Sequence, residues 1–344
     1  MDEAGAGDYS AVMRARISDV ARVAGVSIKT VSRVLNNERY VHPDTRRRVE
    51  EAVGALNFRP NHAARSLAGR RSYQIALICD NPSPYYVYAV QDGARRRCAE
   101  AGVRLIAQPY AADTADLAEE IAALVDQAAP DGIILTPPVS DDPAVLALLG
   151  TRGVPFVRVS PGTQAGLSPA VFINNRAAAY AMTEKLLGEG HRRIGFVSGH
   201  PRYAASAQRL TGYLDAIGDG GGAADLKLIK EGRFDYASGV AAADALLDLP
   251  DPPTAIFASS DDMAAGVLAA AHRRGVAVPG RLSIAGFDDT DLARSLWPPL
   301  STVRQPVGAL GYAAADLLFA AAAEPEQREI AFELVMRESI APVS

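Results

Sequence analysis

The chain has 344 residues, 49% of them hydrophobic and 22% charged, with 35 Lys and Arg against 40 Asp and Glu, a net charge of −5. That length leaves room for more than one domain, and no apolar run reaches the roughly 18–20 residues of a membrane helix. The opening "MDEAGAGDYSAVMRAR" lacks the basic-then-apolar order of a signal peptide, and Cys79 and Cys98 have no metal-ligand spacing, so neither export nor a zinc site is expected and a cytoplasmic protein is.

The charge is unevenly spread. Residues 11–71 carry 13 Lys and Arg against 5 Asp and Glu, a net of +8, while residues 1–10 carry −3 and the remainder −10. A basic module on an acidic body predicts a polyanionic partner for the module alone.

Within the module, Ser18 is placed to cap a helix from Asp19 to Ala24 with Val20, Ala21 and Val23 or Ala24 inward, and Gly25 suits the left-handed residue that ends it. Ser27 then caps a second helix, Ile28 to Leu35, with Val31, Val34 and Leu35 buried and Asn36 and Asn37 as the stop. A third helix opens at His42-Pro43-Asp44, where proline fits the first helical position, and runs to about Leu56 with Val49, Ala52 and Val53 inward. Two short helices joined by a tight glycine turn and followed by a third make a helix-turn-helix unit, whose second helix presents side chains to base edges in the major groove. Here Ile28, Lys29, Ser32 and Arg33 lie opposite the apolar face. Cationic groups can donate to guanine, hydroxyls can reach phosphates or bases, and Ile28 can touch a thymine methyl. The "RPNHAARSLAG" that follows (59–69) is too short to be a stable helix by itself.

From residue 73 on, apolar runs of strand length alternate with helical stretches. The runs are "QIALIC", "RLIAQP", "GIILTP", "PFVRVS", "AVFIN", "IGFVSG", "LIKEG", "AIFASS", "LSIAGF" and "STVRQP". Alternation with nearly continuous apolar strands predicts parallel sheets covered on both faces, and ten strands divide more naturally between two sheets than one. Ligands of such sheets bind at the carboxyl ends of strands. No P-loop, HExxH or GxSxG occurs, and "GDGGGA" (218–223) follows a helical stretch where a dinucleotide fingerprint needs a strand, so neither an enzyme nor a cofactor is expected.

The segments "ISDVARVAGVSIKTVSRVLNN" and "VHPDTRRRVEEAVGALNFRPNHAARSLAG" closely resemble the DNA-binding headpiece of the LacI/GalR family of bacterial transcription regulators. "GHRRIGFVSG", "QRLTGY", "SSDDMAAGVLAAAHRRGVAVPGRLSIAGFDD" and "PPLSTVRQPVGALG" resemble the effector domain of the same family. The resemblance implies a small all-α helix-turn-helix headpiece (15–59) after an N-terminal tail (1–14), then a hinge helix and linker (60–72). It implies an α/β effector domain of type I periplasmic-binding-protein-like fold (73–344), with subdomains of about 73–173 with 302–323 and about 174–301 with 324–344. It further implies Ser27, Ile28, Lys29, Thr30, Ser32 and Arg33 as groove and phosphate contacts, Asn36 and Tyr40 on the DNA backbone, and Leu67 with Arg65 beside it as a minor-groove wedge. A homodimer on a near-palindromic operator and an effector that is a sugar or sugar derivative follow in the same way, with a nucleobase or an anionic metabolite as the alternative effector.

For the effector the resemblance implies Tyr85 and Tyr86 as aromatics over the ligand, Arg209 on its oxygens, Phe234 as a wall, Ser260 where relatives often carry asparagine, and Asp288 as acceptor of hydroxyls. A carboxylate and a forked guanidinium around aromatic rings suit a polyol, whose hydroxyls both donate and accept. Arg158 departs from the family, standing where several sugar-responsive members have an aspartate. It either faces an anionic effector or forms an ion pair with Asp80 or Asp288.

Overall fold

The computed structural model describes residues 15–35, 38, 40–58, 71–110, 114, 116–320 and 324–343; the expectations for Asn36, Arg65, Leu67, the 1–14 tail and most of the hinge lie outside them. The chain divides into two compact units, Met1–Ser72 and Tyr73–Ser344.

The first unit is three helices, α1 (Ile17–Ala24), α2 (Ile28–Leu35) and α3 (Pro43–Ala55). Its core is Val20, Ala21, Ala24, Val31, Val34, Val49, Ala52 and Phe58; Val23 is exposed, which settles the inward face of α1 on Ala24. The start of α1 differs from expectation. Arg16 is the N-cap, and its amide donates to Asp19 at 2.8 Å, so Asp19 closes the turn in place of Ser18. Gly25 ends α1 at φ 65°, where a side chain would be strained, and its amide reaches back to Ala21 O. Ser27 caps α2 as its chemistry suggests, accepting from the Thr30 amide at 3.1 Å.

The second unit is two lobes, each a six-stranded sheet with helices on both faces. In chain order they contain β1 (Gln74–Cys79), α4 (Pro84–Glu100), β2 (Arg104–Pro109), α5 (Leu117–Ala128), β3 (Gly132–Leu135), α6 (Pro143–Arg152), β4 (Phe156–Val159) and β5 (Ala170–Phe172). There follow α7 (Asn175–Gly188), β6 (Ile194–Ser198), α8 (Ala204–Asp219), β7 (Ile229–Glu231), α9 (Tyr236–Leu247), β8 (Ala255–Ala258), α10 (Asp261–Arg273), β9 (Ser283–Asp288) and α11 (Asp291–Ser295). Last come β10 (Ser301–Arg304), α12 (Val307–Phe319), β11 (Gln327–Glu329) and β12 (Glu333–Val335). The sheet orders are β11-β5-β4-β3-β1-β2 and β12-β10-β9-β8-β6-β7. All pairs are parallel except β10 with β12. Each order reverses direction beside its first strand (β1, β6), and the crevice outside the carboxyl ends at that point is where such sheets take ligands. The central strands are buried end to end, as their unbroken apolar runs require.

The chain crosses between the lobes near 173–174, near 305–306 and at 330–332. Two of the expected subdomain limits are therefore displaced. Ser301–Arg304 pairs with β9, so 302–304 belong to the second lobe, whereas Gln327–Glu329 pairs with β5, so 324–329 belong to the first. β11 and β12 are half-exposed edge strands of three residues each, too short for hydrophobic periodicity to mark.

Candidate effector cleft and nucleic-acid interface

On the first unit, α2 carries two faces. Val31 and Val34 are buried, while Ser27, Ile28, Lys29 and Arg33 are exposed and Thr30 and Ser32 half-buried. Ile28 is an exposed aliphatic with no core to join, next to two cations one helical turn apart. Among the described residues Arg33 pairs with exposed Glu38 at 3.5 Å, a contact of the kind that contributes little and is easily exchanged. Tyr40, between α2 and α3, is 98% exposed. An outward helix face of hydroxyl, ammonium, guanidinium and methyl groups fits groove edges and phosphates.

On the second unit, a cleft lies at the carboxyl ends of both sheets. The first lobe contributes Asn81, Ser83, Tyr86, Pro137 and Ser160; the second contributes Tyr203, Ala205, Arg209, Phe234, Ser260 and Asp288, with Gln305 on a crossover. Each residue follows or ends a strand, or sits on the first turns of the next helix.

The charged pair is built from the second lobe. Arg209, on α8, is buried; its Nε donates to Asn175 Oδ1 at 2.9 Å and its Nη1 to Ser259 O at 2.6 Å. Its guanidinium lies 3.5 Å from the Phe287 ring centroid, so one face is covered by an aromatic. Nη2 has no hydrogen-bond partner among the described residues. Asp288 ends β9 at φ 113°, a conformation that side chains rarely adopt, and its Oδ1 accepts from Gln305 Nε2 at 2.9 Å. Burial pushes the Asp288 carboxyl up to about 7 against the pull of Arg209, and burial lowers Arg209 to about 10. Arg209 and Asp288 thus leave an open donor and an open acceptor facing the cleft, both taken out of water, beside the unpartnered hydroxyl of Ser160.

The walls are aromatic. Phe234, itself at φ 63°, stands edge-on to Tyr203 with centroids 5.2 Å apart, and Tyr86 is buried among them. Ser260 lines the cleft, but its hydroxyl accepts from the Met263 amide at 3.2 Å as the cap of α10. Asp261 below it is held by Thr302 Oγ1 (2.7 Å), the Thr290 amide (2.7 Å) and Thr290 Oγ1 (3.0 Å), and burial beside Asp288 raises its pKa.

Hydrogen bonds between described residues span the cleft. Ser83 Oγ donates to Asp262 Oδ2 at 2.7 Å, and Tyr203 Oη donates to the Asp80 carbonyl at 3.1 Å. The free space between the lobes is about 40 Å³, room for a few waters.

Of the seven expected effector contacts, the structure brings together Tyr86, Arg209, Phe234, Ser260 and Asp288. Tyr85 is 39% exposed and takes no part in the lining. Arg158 is corrected more fully. It is wholly buried beneath the sheet end, with neither Asp80 nor Asp288 as partner. Its Nε donates to Ser168 Oγ (3.1 Å), Nη1 to Thr163 O (2.9 Å) and Nη2 to Gln164 O (2.6 Å), with Asp141 at 3.8 Å. Its fork is occupied by its own lobe. Asn81, Ser83, Pro137, Ser160, Tyr203, Ala205 and Gln305 were not anticipated, although each lies at the end of an apolar run or within a few residues after one.

Residues 16–61 match the model of the bacterial regulatory proteins of the lacI family, and residues 183–340 match a periplasmic binding protein-like domain. The ribose operon repressor of Haemophilus influenzae is 32% identical over 330 residues, 95% of this chain and 98% of that one. The chain belongs to the LacI family. Another relative, the HTH-type transcriptional repressor PurR of Vibrio atlanticus, is 31% identical over 93% of this chain and 96% of its own. The lac repressor dimer bound to operator and the anti-inducer ONPF superposes with a TM-score of 0.80 at 25% identity, over 95% of this chain and 99% of that one. As a LacI-family member with both modules the chain is a DNA-binding transcriptional repressor and not an enzyme. Among the described residues no helix is long and apolar enough to cross a membrane, and no acidic, His and Cys cluster fits a metal ion.

Proposed function

We propose that the protein is a cytoplasmic, dimeric repressor of a carbohydrate-use operon, and that the cleft takes an uncharged sugar. The observation that carries the effector class is the pairing of open atoms: Arg209 Nη2 offers a donor and Asp288 Oδ2 an acceptor within one buried cleft. A hydroxyl answers both, because it donates and accepts, whereas a carboxylate or phosphate answers Arg209 and meets Asp288 as a like charge wherever that carboxyl is ionised, above about pH 7. With Arg158 occupied elsewhere, the second cation that an anionic effector would use is missing from the lining. The aromatic walls give C–H faces of a sugar ring a surface to stack on. The ribose operon repressor and the operator-bound dimer among its relatives agree with this reading.

On the DNA side, Ser27, Ile28, Lys29, Thr30, Ser32 and Arg33 face the major groove of a near-palindromic operator, and Asn36, Tyr40, Arg65 and Leu67 complete the contact set. Lys29→Ala is expected to weaken operator binding by about 1–3 kcal/mol while weakening binding to random DNA less; equal losses on both would reduce it to a phosphate contact.

The effector is tested by thermal shift and calorimetry with ribose, glucose and cellobiose, their uronic acids, and purine bases. A ligand at a hundred times its Kd adds about 2.7 kcal/mol of stability, so a neutral sugar should raise the melting temperature by several degrees. Stabilisation by uronic acids alone, or by purines alone, sinks the neutral-sugar reading.

A further inference from the structure

Arg158, set aside from the effector contacts, holds something next to them. The loop from Ser160 to Ser168 joins β4 to β5 at the rim of the cleft. Arg158 grips it through the carbonyls of Thr163 and Gln164 and the hydroxyl of Ser168. Asp141, after β3, grips it from the other side: its carboxylate accepts from the Gly162 amide at 2.9 Å, the Thr163 amide at 3.0 Å and the Thr163 hydroxyl at 2.9 Å. Ser160 opens the loop at φ 46°, and its buried Oγ has no partner among the described residues, at a position that lines the cleft.

Gly162 is the telling residue. Its backbone lies outside the left-handed region, so a side chain is permitted, and the nearest own-lobe atom to an added Cβ is Asp141 Oδ2 at an ordinary 3.6 Å. The obstruction comes from the opposite lobe: that Cβ would stand 2.0 Å from Ala204 Cβ, at the first residue of α8. Arg209 is on the same helix, less than two turns further on.

We propose that Arg158 and Asp141 are positioning residues of the effector cleft: they fix the 160–164 loop as a stop against which the second lobe closes, with Gly162 as the point of contact. The stop sets how near α8, and with it Arg209, comes to the first lobe, and it presents the Ser160 hydroxyl to whatever the closed cleft holds. A loop gripped on both sides does not retreat, so one methyl at residue 162 is felt by closure and by little else. The proposal rests on reading the cleft as the effector site, but lobe closure is measurable without any effector, so failure of the sugar assignment leaves its test intact.

The test uses the full chain with spin labels at Ala144→Cys and Arg233→Cys, one exposed position on each lobe, diluted with unlabelled chain so that each pair reports one protomer. Cys79 and Cys98 are buried. Pulsed spin-resonance distances without ligand are expected to show a closed population in the parent chain. Gly162→Ala should lower the closed-to-open ratio by about tenfold, as overpacking by one methyl does, with the melting temperature nearly unchanged. Loosening the stop in that background, by Asp141→Asn or by Arg158→Lys should either variant fold poorly, is expected to restore part of the closed population, a non-additive rescue that a merely structural pair would not give. A Gly162→Ala chain as closed as its parent, a loosened double variant as open as Gly162→Ala alone, or a parent chain with no closed population overturns the proposal.

Discussion

The two lobes share one strand order and do different work. The second supplies the buried charges of the cleft, Arg209 and Asp288, with Asp261 and Asp262 behind them. The first supplies hydroxyl, amide and aromatic groups, and its own buried cation, Arg158, is turned inward to hold a loop. The same topology thus yields a charged recognition wall opposite a neutral, shaped one. A buried charge needs partners wherever it lies, and what distinguishes the lobes is whether those partners are part of the protein or leave atoms open for a ligand.

The sharpest way to break this contrast is at the first lobe's cation. Arg158→Met should destabilise the effector domain by about 3–5 kcal/mol, since it strips a buried group whose partners stay behind. It should leave the preference between a neutral sugar and its uronic acid unchanged by calorimetry, and selective loss of the acid's affinity would return Arg158 to the ligand.

Asp288 gives the next effect. Asp288→Asn should weaken effector binding by about 1.5–3 kcal/mol through a lost charge-assisted hydrogen bond. The same residue writes a pH dependence. Its carboxyl rises from an ordinary 3.8 to about 7 on folding, so the folded state binds the proton that the unfolded state releases, and stability falls as pH climbs from about 4 to 7. His191, lowered from its ordinary 6.5 by burial, acts oppositely below that value, because the unfolded ring takes up a proton in acid that the folded ring does not. Melting curves across this window should therefore decline with pH in the parent chain and decline less, or rise, in Asp288→Asn; identical slopes would place the proton elsewhere.

The smallest effect sharpens the comparison at the seam. Ser83→Ala removes a bond to Asp262 that burial raises in pKa. A loss of about 1 kcal/mol from the closed form is expected, seen as an open shift in the spin-label distances, with the melting temperature little changed.

Much of this was legible in the sequence, for identifiable reasons. The inner strands announced themselves because both faces of each sheet are covered, leaving nearly unbroken apolar runs; the edge strands β2 and β7 keep enough apolar residues to be read with them, whereas the edges β11 and β12 are three residues long and give no period to read. Tyr86, Arg209, Phe234, Ser260 and Asp288 were found because a resemblance pointed to positions at strand ends. Asn81, Ser83, Ser160 and Gln305 occupy equivalent positions, but small polar residues there read as ordinary turn chemistry. Arg158 was misplaced for a deeper reason. An arginine within an apolar strand signals a buried charge, yet which groups answer it depends on a loop folding back over β4 and on Asp141, 17 residues earlier, and local pattern carries no record of either.

The hydrogen bonds that span the cleft also act on time. With about 40 Å³ free between the lobes, a sugar-sized molecule needs more room than the closed cleft gives, and the lobes widen against the Ser83–Asp262 and Tyr203–Asp80 links, an event of the microsecond-to-millisecond class of domain motions. Encounter is then not the slow step at high effector concentration. The observed association rate in a stopped-flow experiment should level off at the rate of opening, and Ser83→Ala should raise that plateau, so that the repressor's response speed is written in part into the serine that links the two lobes.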